Sequence, residues 1–473
     1  MDLVAELAGL IGADAVLTAP TDLEAVTEDW RGRYRGAALC LARPANTEEV
    51  AAVVRACARH GVPVLPQGGN TSLCGGAVPS AEGPAPVILS LARLRKVRAI
   101  DPVNNTIEVE AGCVLATVQE AAAAAGRLYP VSLGAEGSCQ IGGTIATNAG
   151  GTSVLRYGNT RDNVLGLEVV LPDGAVWSGL YGLRKNNTGY DLKHLFIGSE
   201  GTLGVVTAAV LKLHPLPTRH ANAWVGLSSP EAALELLTMV QESSGASLTA
   251  FELINQLQLD LVVEHVPNRR SPIGELADWH VLIELAGNGA PGVLDAELQA
   301  ILERAFEKGL LVDAALAASE AQRIAMWDVR HSVSEANKKG GVGLTTDCAV
   351  PLSAVPAFIE SATAAVRRLV PGLPMVVVAH IGDGNVHFIP FFTFEAWRKV
   401  TDTEALAAAI RHAVNDEAAR LKGTFSAEHG IGRTLVPEMA RYKPPAELTL
   451  MRAIKQAIDP QNLFNPGRLL PPA

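Results

Sequence analysis

The residues best suited to chemistry lie in two short motifs in the last quarter of the chain. His380 and His387 flank an Asp383-Gly384 turn, and the second motif is the run 428–432, EHGIG. Two imidazoles and a carboxylate can bind a divalent metal and leave its fourth position open, as in catalytic zinc sites. We therefore predict that His380, His387 and Glu428 bind Zn²⁺ or a similar divalent metal. His429, the remaining imidazole, is predicted to transfer a proton.

The two histidines are predicted to lie on neighbouring strands of a β-hairpin. The apolar runs 375–379 and 386–389 are typical of strands, and Asp-Gly is a favoured hairpin turn. Residues opposite each other in a hairpin have Cβ atoms about 5 Å apart, so both imidazoles should face each other and reach one ion. The spacing alone fits ordinary hairpin residues equally well. The interpretation therefore depends on the rest of the chain.

Composition limits the classes of protein to consider. With 473 residues, 48% of them hydrophobic, the chain is long enough for two or three domains with large cores. The net charge of −10 argues against nucleic-acid binding. The six cysteines show no CxxC spacing, which argues against a zinc ribbon or a disulfide framework and favours a reducing cytoplasm.

The N-terminal residues and the hydropathy of the chain bear on its location. Acidic Asp2 and Glu6 stand where a signal peptide would carry basic residues. No run of eighteen or more residues is apolar throughout. We expect a cytoplasmic protein that is at most peripheral to a membrane.

Apolar periodicity predicts a chain of mixed α and β structure. A helix is predicted over 46–61, with acidic residues in its first turn and a glycine as its stop. Strands are predicted over 62–65, 86–90 and 106–110.

The run 214–217, which contains two prolines, is a natural domain boundary. We predict a first domain over 1–217, a second over 218–443 that carries the metal histidines, and a C-terminal segment over 444–473.

Glycine-rich loops predict a cofactor in the first domain. The run 67–76, QGGNTSLCGG, follows a strand and is suited to binding a pyrophosphate through backbone N–H groups. Neither this run nor 198–204 spells GxGxxG, and 67–76 lacks the P-loop ending, which argues against nicotinamide and nucleotide-triphosphate sites. The run 137–151 has almost no bulky side chain and could lie flat against a planar ligand such as a flavin. Each loop alone could also be a simple turn.

In this order, the loops and several further motifs resemble the FAD-dependent D-2-hydroxy acid dehydrogenases, the family of D-lactate dehydrogenase, D-2-hydroxyglutarate dehydrogenase and the flavin subunit of glycolate oxidase. The resemblance covers nearly the whole chain. It rests on the runs 66–76, 137–151, 155–158, 185–192, 198–204, 380–387, 428–432 and 465–467.

The resemblance implies an α+β fold with two parts. One is a vanillyl-alcohol-oxidase-type FAD-binding domain, to which the C-terminal segment returns, and the other is an α/β cap-like substrate domain with an antiparallel sheet. The implied FAD contacts are Pro66, Gly68, Gly69, Asn70, Thr71, Ser72, Gly75, Gly76, Gly137, Gly142, Gly143, Thr147, Asn148, Gly151, Gly201, Val206 and Asn465.

The attachment of FAD is also a point of difference within the family. Some relatives bind FAD covalently through a histidine or cysteine near these loops. Here the pyrophosphate loop has no histidine, and Cys74 and Cys139 are the only cysteines of the two glycine clusters. Both are expected to be buried thiols, so we expect noncovalent FAD.

The family chemistry assigns roles to the motifs of the second domain. The metal binds the substrate oxygens, His429 binds the substrate and takes the hydroxyl proton, and the hydrogen on C2 passes to the flavin. Arg330 and Ser334 are predicted to share one face of a helix and to bind the substrate carboxylate.

Two departures from the family pattern concern the substrate. Relatives that oxidise D-2-hydroxyglutarate tend to carry a lysine where this chain has Thr345 and Thr346, and an asparagine where it has Ile389. Both changes remove polar partners for a second carboxylate. D-2-hydroxyglutarate is the first expectation, with D-lactate or another monocarboxylic D-2-hydroxy acid as the alternative. Lys338, Lys339 or Arg433 could compensate.

Other functions remain open from the sequence. A zinc hydrolase would use the same metal ligands but would not need three glycine-rich loops. A glycolate-oxidase-type subunit would bind FAD but act only within a larger complex. The electron acceptor, whether electron-transfer flavoprotein, quinone or oxygen, is open, as is association into a homodimer.

Overall fold

The computed structural model describes residues 2–472 and divides the chain into two compact units. The first unit contains residues up to 150, 158–216 and the segment from 428 onward, and the second contains 151–157 and 217–427. The sequence placed boundaries after residues 217 and 443. In the structure they follow Leu216 and Ala427, so the run 428–432 belongs to the first unit.

Two principal sheets build the first unit. A four-stranded sheet has the order Val16–Leu17, Cys40–Ala42, Val87–Ser90, Val64–Gln67, and its last three strands are parallel. A five-stranded antiparallel sheet has the order Val97–Asp101, Thr106–Glu110, Val205–Lys212, Val164–Val170, Val176–Gly179. Arg127–Leu128 pairs with His214–Pro215. The predicted pyrophosphate loop therefore begins at the carboxyl end of a parallel strand, a position where nucleotides often bind.

The first unit's predicted helix over 46–61 is confirmed at Thr47–His60. The Asn46 side chain accepts a hydrogen bond from the Glu49 N–H, and Gly61 ends the helix with φ +63°. The α-helices of this unit are Leu3–Ile11, Pro20–Thr27, Thr47–His60, Leu115–Ala124, Ile141–Thr147, Lys193–Phe196, Val436–Tyr442 and Pro445–Ile458. Short 3₁₀ helices cover Ala13–Ala15 and Thr160–Asn163.

One antiparallel sheet organises the second unit, as predicted. Its order is Leu311–Leu316, Arg219–Leu227, Trp279–Gly287, Leu248–Asn255, Met375–His380, Asn385–Phe392, Val342–Gly343, and Cys348–Ala349 also pairs with Asn385–Phe392. The predicted hairpin is therefore present. Among residues 2–472, no helix has both the length and the apolar character needed to cross a bilayer.

Helices cover both faces of this sheet because alternate strand residues point to opposite sides. Residues such as Val377 and Phe388 pack against Pro230–Ser244, Val293–Glu307, Val355–Leu369 and Thr403–Arg420. On the other face, Val378 and Ile389 pack in a core with Gln256–His265, Glu320–His331 and Val333–Gly340. The remaining helices are Val154–Tyr157 and Phe394–Arg398, with 3₁₀ turns at Leu352–Ala354 and Ile381–Asp383.

The prediction that Arg330 and Ser334 share a face of one helix is wrong. The first helix ends at His331, where the Ser332 hydroxyl donates to the Asp328 carbonyl, and a second helix begins at Val333. Arg330 is buried, whereas Ser334 is exposed. A serine hydroxyl that bonds to the preceding turn of a helix competes with the regular backbone pattern.

Candidate active site

His380 and His387 lie on adjacent strands, but they are not opposite each other. His380 pairs with Asn385, and His387 pairs with Val378. The turn occupies residues 381–384, so His387 stands two positions beyond the residue that faces His380. Residues two apart share a face of the sheet, and the two rings still approach, with centroids 5.5 Å apart. The predicted direct pair is therefore a diagonal pair.

A glycine is required where this turn closes. Gly384 has φ +82°, and a Cβ atom at this position would lie 2.2 Å from the Val350 carbonyl oxygen. Other residues rarely adopt this conformation, and the close carbonyl leaves no space for a side chain. The backbone conformation and the Val350 carbonyl therefore both require glycine where the turn meets the second strand.

Glu252 supplies a carboxylate to His380 from the neighbouring strand. Its Oε1 lies 2.8 Å from His380 Nδ1, and its Oε2 accepts a hydrogen bond from Arg330 Nε at 2.9 Å. Burial alone would raise the pKa of Glu252, but the nearby charges and hydrogen bonds of His380 and Arg330 outweigh it and lower that pKa. The ionised carboxylate accepts a hydrogen bond from Nδ1–H, and the ring then presents Nε2 as its ligand atom. Carboxylate–histidine pairs of this kind orient metal ligands.

Replacement of Glu252 by glutamine should weaken metal binding by about 10- to 100-fold, the usual effect of losing such a partner. The measurement is competition with a chromophoric chelator for Zn²⁺. Glu284→Gln is the matched control, because Glu284 is also a strand carboxylate of this sheet but accepts from Trp327 and Arg323. Equal zinc affinity of the Glu252 variant and the wild type would contradict the orienting role.

Arg330 is committed to Glu252 in this structure. Its Nη2 lies 2.6 Å from Glu252 Oε2, and the guanidinium is buried. Because a buried charge requires a partner, Arg330 keeps Glu252 ionised. The predicted contact between Arg330 and the substrate would have to use its remaining donors.

Asp347 is a candidate functional residue that the sequence did not single out. Its Oδ1 lies 3.6 Å from His387 Nδ1 and accepts from the Asn385 amide at 3.0 Å. Its Oδ2 accepts from the Ala427 N–H at 3.1 Å. Asp347 therefore connects the strand of His387 to the last residue before Glu428. A signal was present in its motif, DCAVP at 347–351, but carboxylate motifs of this type are not specific for ligands.

Glu428 and His429 follow directly as the first residues of the segment that returns to the first unit. Glu428 Oε1 lies 3.7 Å from His429 Nε2. Glu428 and His429 lie in the first unit, and His380, His387 and Asp347 lie in the second. Carboxylates and imidazoles are types of side chain that bind divalent ions.

The side of the sheet beside His387 is apolar. Val378 lies opposite His387, and Val376 lies opposite Ile389 on the same face. Ile389 is 4% exposed and packs in the apolar core of this side. The hydroxyl of Thr346, which is also buried, donates to the Phe388 carbonyl, and Thr345 is exposed.

In the first unit, the structure brings the glycine-rich loops together. A Cβ atom at Gly69 would lie 2.1 Å from the Ser138 carbonyl oxygen, and one at Gly201 would lie 3.3 Å from Pro66 Cγ. The side-chain amide of Gln67 donates to the Val26 and Ala77 carbonyls. The three loops that the sequence singled out therefore pack against one another.

Several features of these loops fit FAD. A Cβ atom at Gly137 or Gly143 would have no atom within 4 Å, so both face open space. The side-chain oxygens of Gln140 and Asn465 are buried and have no hydrogen-bond partner within residues 2–472. Such acceptors suit the hydroxyl and amino donors of FAD, because buried acceptors without partners are costly.

The other predicted FAD contacts fall into three groups. Pro66, Gly68, Asn70, Thr71, Ser72, Gly75, Gly76, Thr147 and Asn148 lie on the same loops as these features. Gly142 and Val206 are explained by packing, since a Cβ atom at Gly142 would lie 2.9 Å from Ala111 Cβ and Val206 lies in the core. Gly151 belongs to the second unit.

Protein-family models match both parts of the chain. The family described as FAD binding domain matches residues 38–179, and FAD linked oxidases, C-terminal domain, matches residues 216–469. The second match alone covers more than half of the chain.

Relatives match along nearly the whole length. The mitochondrial D-2-hydroxyglutarate dehydrogenase of Bos taurus is 39% identical, over 96% of this chain and 81% of its own. The D-2-hydroxyglutarate dehydrogenase of Xanthomonas citri pv. viticola is 37% identical, over 96% of this chain and 93% of its own.

The fold is also found among solved structures. The structure of p-cresol methylhydroxylase with substrate bound has a TM-score of 0.74 at 17% identity, over 98% of this chain and 96% of that one. At this identity the likeness concerns the fold alone, and it confirms the predicted vanillyl-alcohol-oxidase type. With both family models and these relatives in agreement, the chain belongs to the FAD-dependent D-2-hydroxy acid dehydrogenase family and is a flavin-dependent oxidoreductase of hydroxy acids.

Proposed function

We propose that this dehydrogenase uses a divalent metal, held by His380, His387 and Glu428, to oxidise a D-2-hydroxy acid to the 2-oxo acid. The observation that carries the proposal is the hydrogen bond between His380 and the buried carboxylate of Glu252. Metal-binding histidines commonly have such a carboxylate partner, which fixes the tautomer and the orientation of the ring. Asp347, beside His387, is an additional ligand or orienting group.

The protein residues divide the work of the reaction. Glu252 fixes the orientation of His380, and Arg330 balances the Glu252 charge and directs its remaining donors to the substrate carboxylate. Ser334, which is exposed, would contribute only through movement of its helix. His429 takes the proton of the substrate hydroxyl as general base. When bound, the metal lowers the pKa of that hydroxyl, and FAD accepts the hydrogen from C2.

D-2-hydroxyglutarate is the first-choice substrate, because the relatives above carry that name at 37% and 39% identity. A monocarboxylic acid such as D-lactate is the second candidate, because Thr345, Thr346 and Ile389 replace the polar groups expected to meet a second carboxylate.

The deciding experiment is anaerobic bleaching of the flavin by a panel of D- and L-2-hydroxy acids, with and without chelator. Reduction by D-2-hydroxyglutarate at a kcat/KM above that of D-lactate would support the first substrate, and the reverse order would support the second. Reduction by L-acids alone would contradict the proposed stereochemistry. A flavoprotein that no hydroxy acid reduces would instead support a glycolate-oxidase-type subunit.

FAD attachment is proposed to be noncovalent. Burial raises the pKa of the Cys139 thiol to about 11, so little nucleophilic thiolate is present near neutral pH. Cys74 is buried and donates to the Gly430 carbonyl at 3.4 Å. Both observations favour structural roles for these cysteines.

The partners and location are proposals of the same kind. Electron-transfer flavoprotein or a quinone is the expected electron acceptor, and a homodimer is compatible with the chain. On the basis of composition, we propose a cytoplasmic protein that is at most peripheral to a membrane. The name of the Bos taurus relative includes the word mitochondrial, and this location is stated for that relative only.

A further inference from the structure

A carboxylate in the third glycine-rich loop holds the segment that carries the proposed general base. Glu200 Oε1 accepts a hydrogen bond from the Ile431 N–H at 2.7 Å, and its Oε2 accepts one from the Gly432 N–H at 2.6 Å. All three residues belong to the first unit. The two carboxylate oxygens of Glu200 therefore accept hydrogen bonds from two consecutive peptide N–H groups, which lie two and three residues after His429.

Glu200 is itself held in an unusual backbone conformation. Its φ is +51°, which residues other than glycine seldom adopt. Its N–H donates to the Ala146 carbonyl at 2.8 Å, and its own carbonyl accepts from the Asn465 side chain at 2.8 Å. These bonds fix the direction of the carboxylate, so the flavin-binding loops determine where the segment lies.

The opposite side of the segment is bound by the pyrophosphate loop. The Cys74 carbonyl accepts from the N–H groups of Arg433 at 2.9 Å and Thr434 at 3.2 Å. A Cβ atom at Gly432 would lie 2.1 Å from that carbonyl oxygen, and one at Gly430 would lie 2.9 Å from Glu200 Oε1. Both glycines also have positive φ angles. The segment after His429 is therefore held between two cofactor loops at close range.

The charge of Glu200 is held by peptide N–H groups. None of the lysines and arginines within residues 2–472 forms a salt bridge with it. Burial raises the pKa of Glu200 and outweighs the Ile431 and Gly432 N–H groups and the charge of Arg468, all of which act in the opposite direction. A glutamine could not replace it, since the amide has one acceptor oxygen and its NH₂ would face an N–H donor.

We propose that Glu200 is a positioning residue for His429 and Glu428, linking the flavin-binding loops to the proton-transfer group. The expected effect of Glu200 on turnover rests on the proposed role of His429. The hydrogen bonds by which Glu200 holds residues 430–434, called the clamp below, do not depend on that role. The two parts can therefore be tested separately.

The test uses Glu200→Gln in the full chain loaded with FAD. Because hydrogen bonds to a carboxylate are among the strong ones, amide hydrogen exchange in peptides covering 430–434 should become about tenfold faster or more when one of them is lost. Anaerobic flavin reduction should slow by about 10- to 100-fold, with KM changed much less. Bound FAD per chain should remain near that of the wild type.

Glu168→Gln is the matched control, because Glu168 is a partly buried carboxylate of the first unit that accepts from the Thr47 and Thr207 hydroxyls. It should leave the exchange of 430–434 unchanged. Glu200→Asp keeps two acceptor oxygens on a shorter side chain and should restore part of the rate of flavin reduction. If the glutamine variant folds poorly, the aspartate variant can be used for the same measurements.

The outcomes separate the two ideas. Unchanged exchange of 430–434 in both Glu200 variants would overturn the clamp. Faster exchange with normal flavin reduction would overturn the positioning role. If the wild type itself reduced no flavin with any hydroxy acid, the proposed function would fail, while the exchange result would still decide whether Glu200 holds the segment.

Discussion

Exhaustive chelation is expected to slow flavin reduction by the D-2-hydroxy acid about 10³-fold or more while the protein stays yellow. Metal ions supply several kcal/mol of charge stabilisation in such sites, and about 4 kcal/mol corresponds to 10³ in rate. FAD should remain because its proposed contacts lie in the glycine-rich loops of the first unit. The measurement is stopped-flow reduction of the flavin under anaerobic conditions.

Two controls make the chelation result specific. Addition of Zn²⁺ or another divalent ion should restore the rate, whereas the visible spectrum of oxidised FAD should not change. His387→Ala should behave like the chelated wild type and should not respond to added metal. Full activity in thoroughly chelated protein would remove the metal from the mechanism.

The second large effect is expected from His429→Asn. Loss of a general base typically lowers the chemical rate by about 10²- to 10⁴-fold. Asparagine is close to histidine in size but cannot take the proton, so FAD content and zinc affinity should stay within about twofold of the wild type, an effect below roughly 0.5 kcal/mol. The rate of flavin reduction in a single turnover separates the chemical step from product release.

A surface histidine serves as the control for this substitution. His60, which lies 2.8 Å from Glu6 in the first unit, can be replaced by asparagine without an expected change in rate. If His429→Asn reduced flavin as fast as the wild type, the base would have to be another group. If it lost zinc instead, His429 would be a metal ligand.

Much of the fold could be predicted because local patterns agree with the final structure. The helix Thr47–His60 has a capping asparagine, acidic residues in its first turn and a terminal glycine. The hairpin strands are almost wholly apolar and are separated by a short turn. Signals of this kind act over a few residues and are visible in one sequence.

The register and the partners of the histidines could not be predicted in the same way. The position of His387 depends on the length of the turn. We predicted that His387 lies opposite His380, whereas the observed turn places the two histidines diagonally. Glu252 lies 128 residues before His380 and reaches it only through strand pairing. It did leave a trace, because a lone glutamate in the apolar run 248–255 implies a buried charge with a partner.

The helix break at Ser332 shows a different limit. Apolar periodicity continues across it, since Val329 and Val333 pack in the same core. The Ser332 hydroxyl bonds to the Asp328 carbonyl four residues earlier, a contact that a serine within a helix also makes, so the residue type alone does not mark the break. Shared spacing therefore did not imply a shared environment for Arg330 and Ser334.

The chain leaves the first unit after Leu216 and re-enters it at Glu428, so most of the second unit is one insertion, to which the short segment 151–157 is added. The loops proposed for FAD, Glu200 and the proposed base are all encoded outside that insertion. An exchange of 217–427 with a relative would therefore replace His380, His387 and their carboxylate partners Glu252 and Asp347 together, and leave Glu200 and the proposed base in place. Under the proposed roles, two of the metal ligands can then be varied independently of the proton-transfer group.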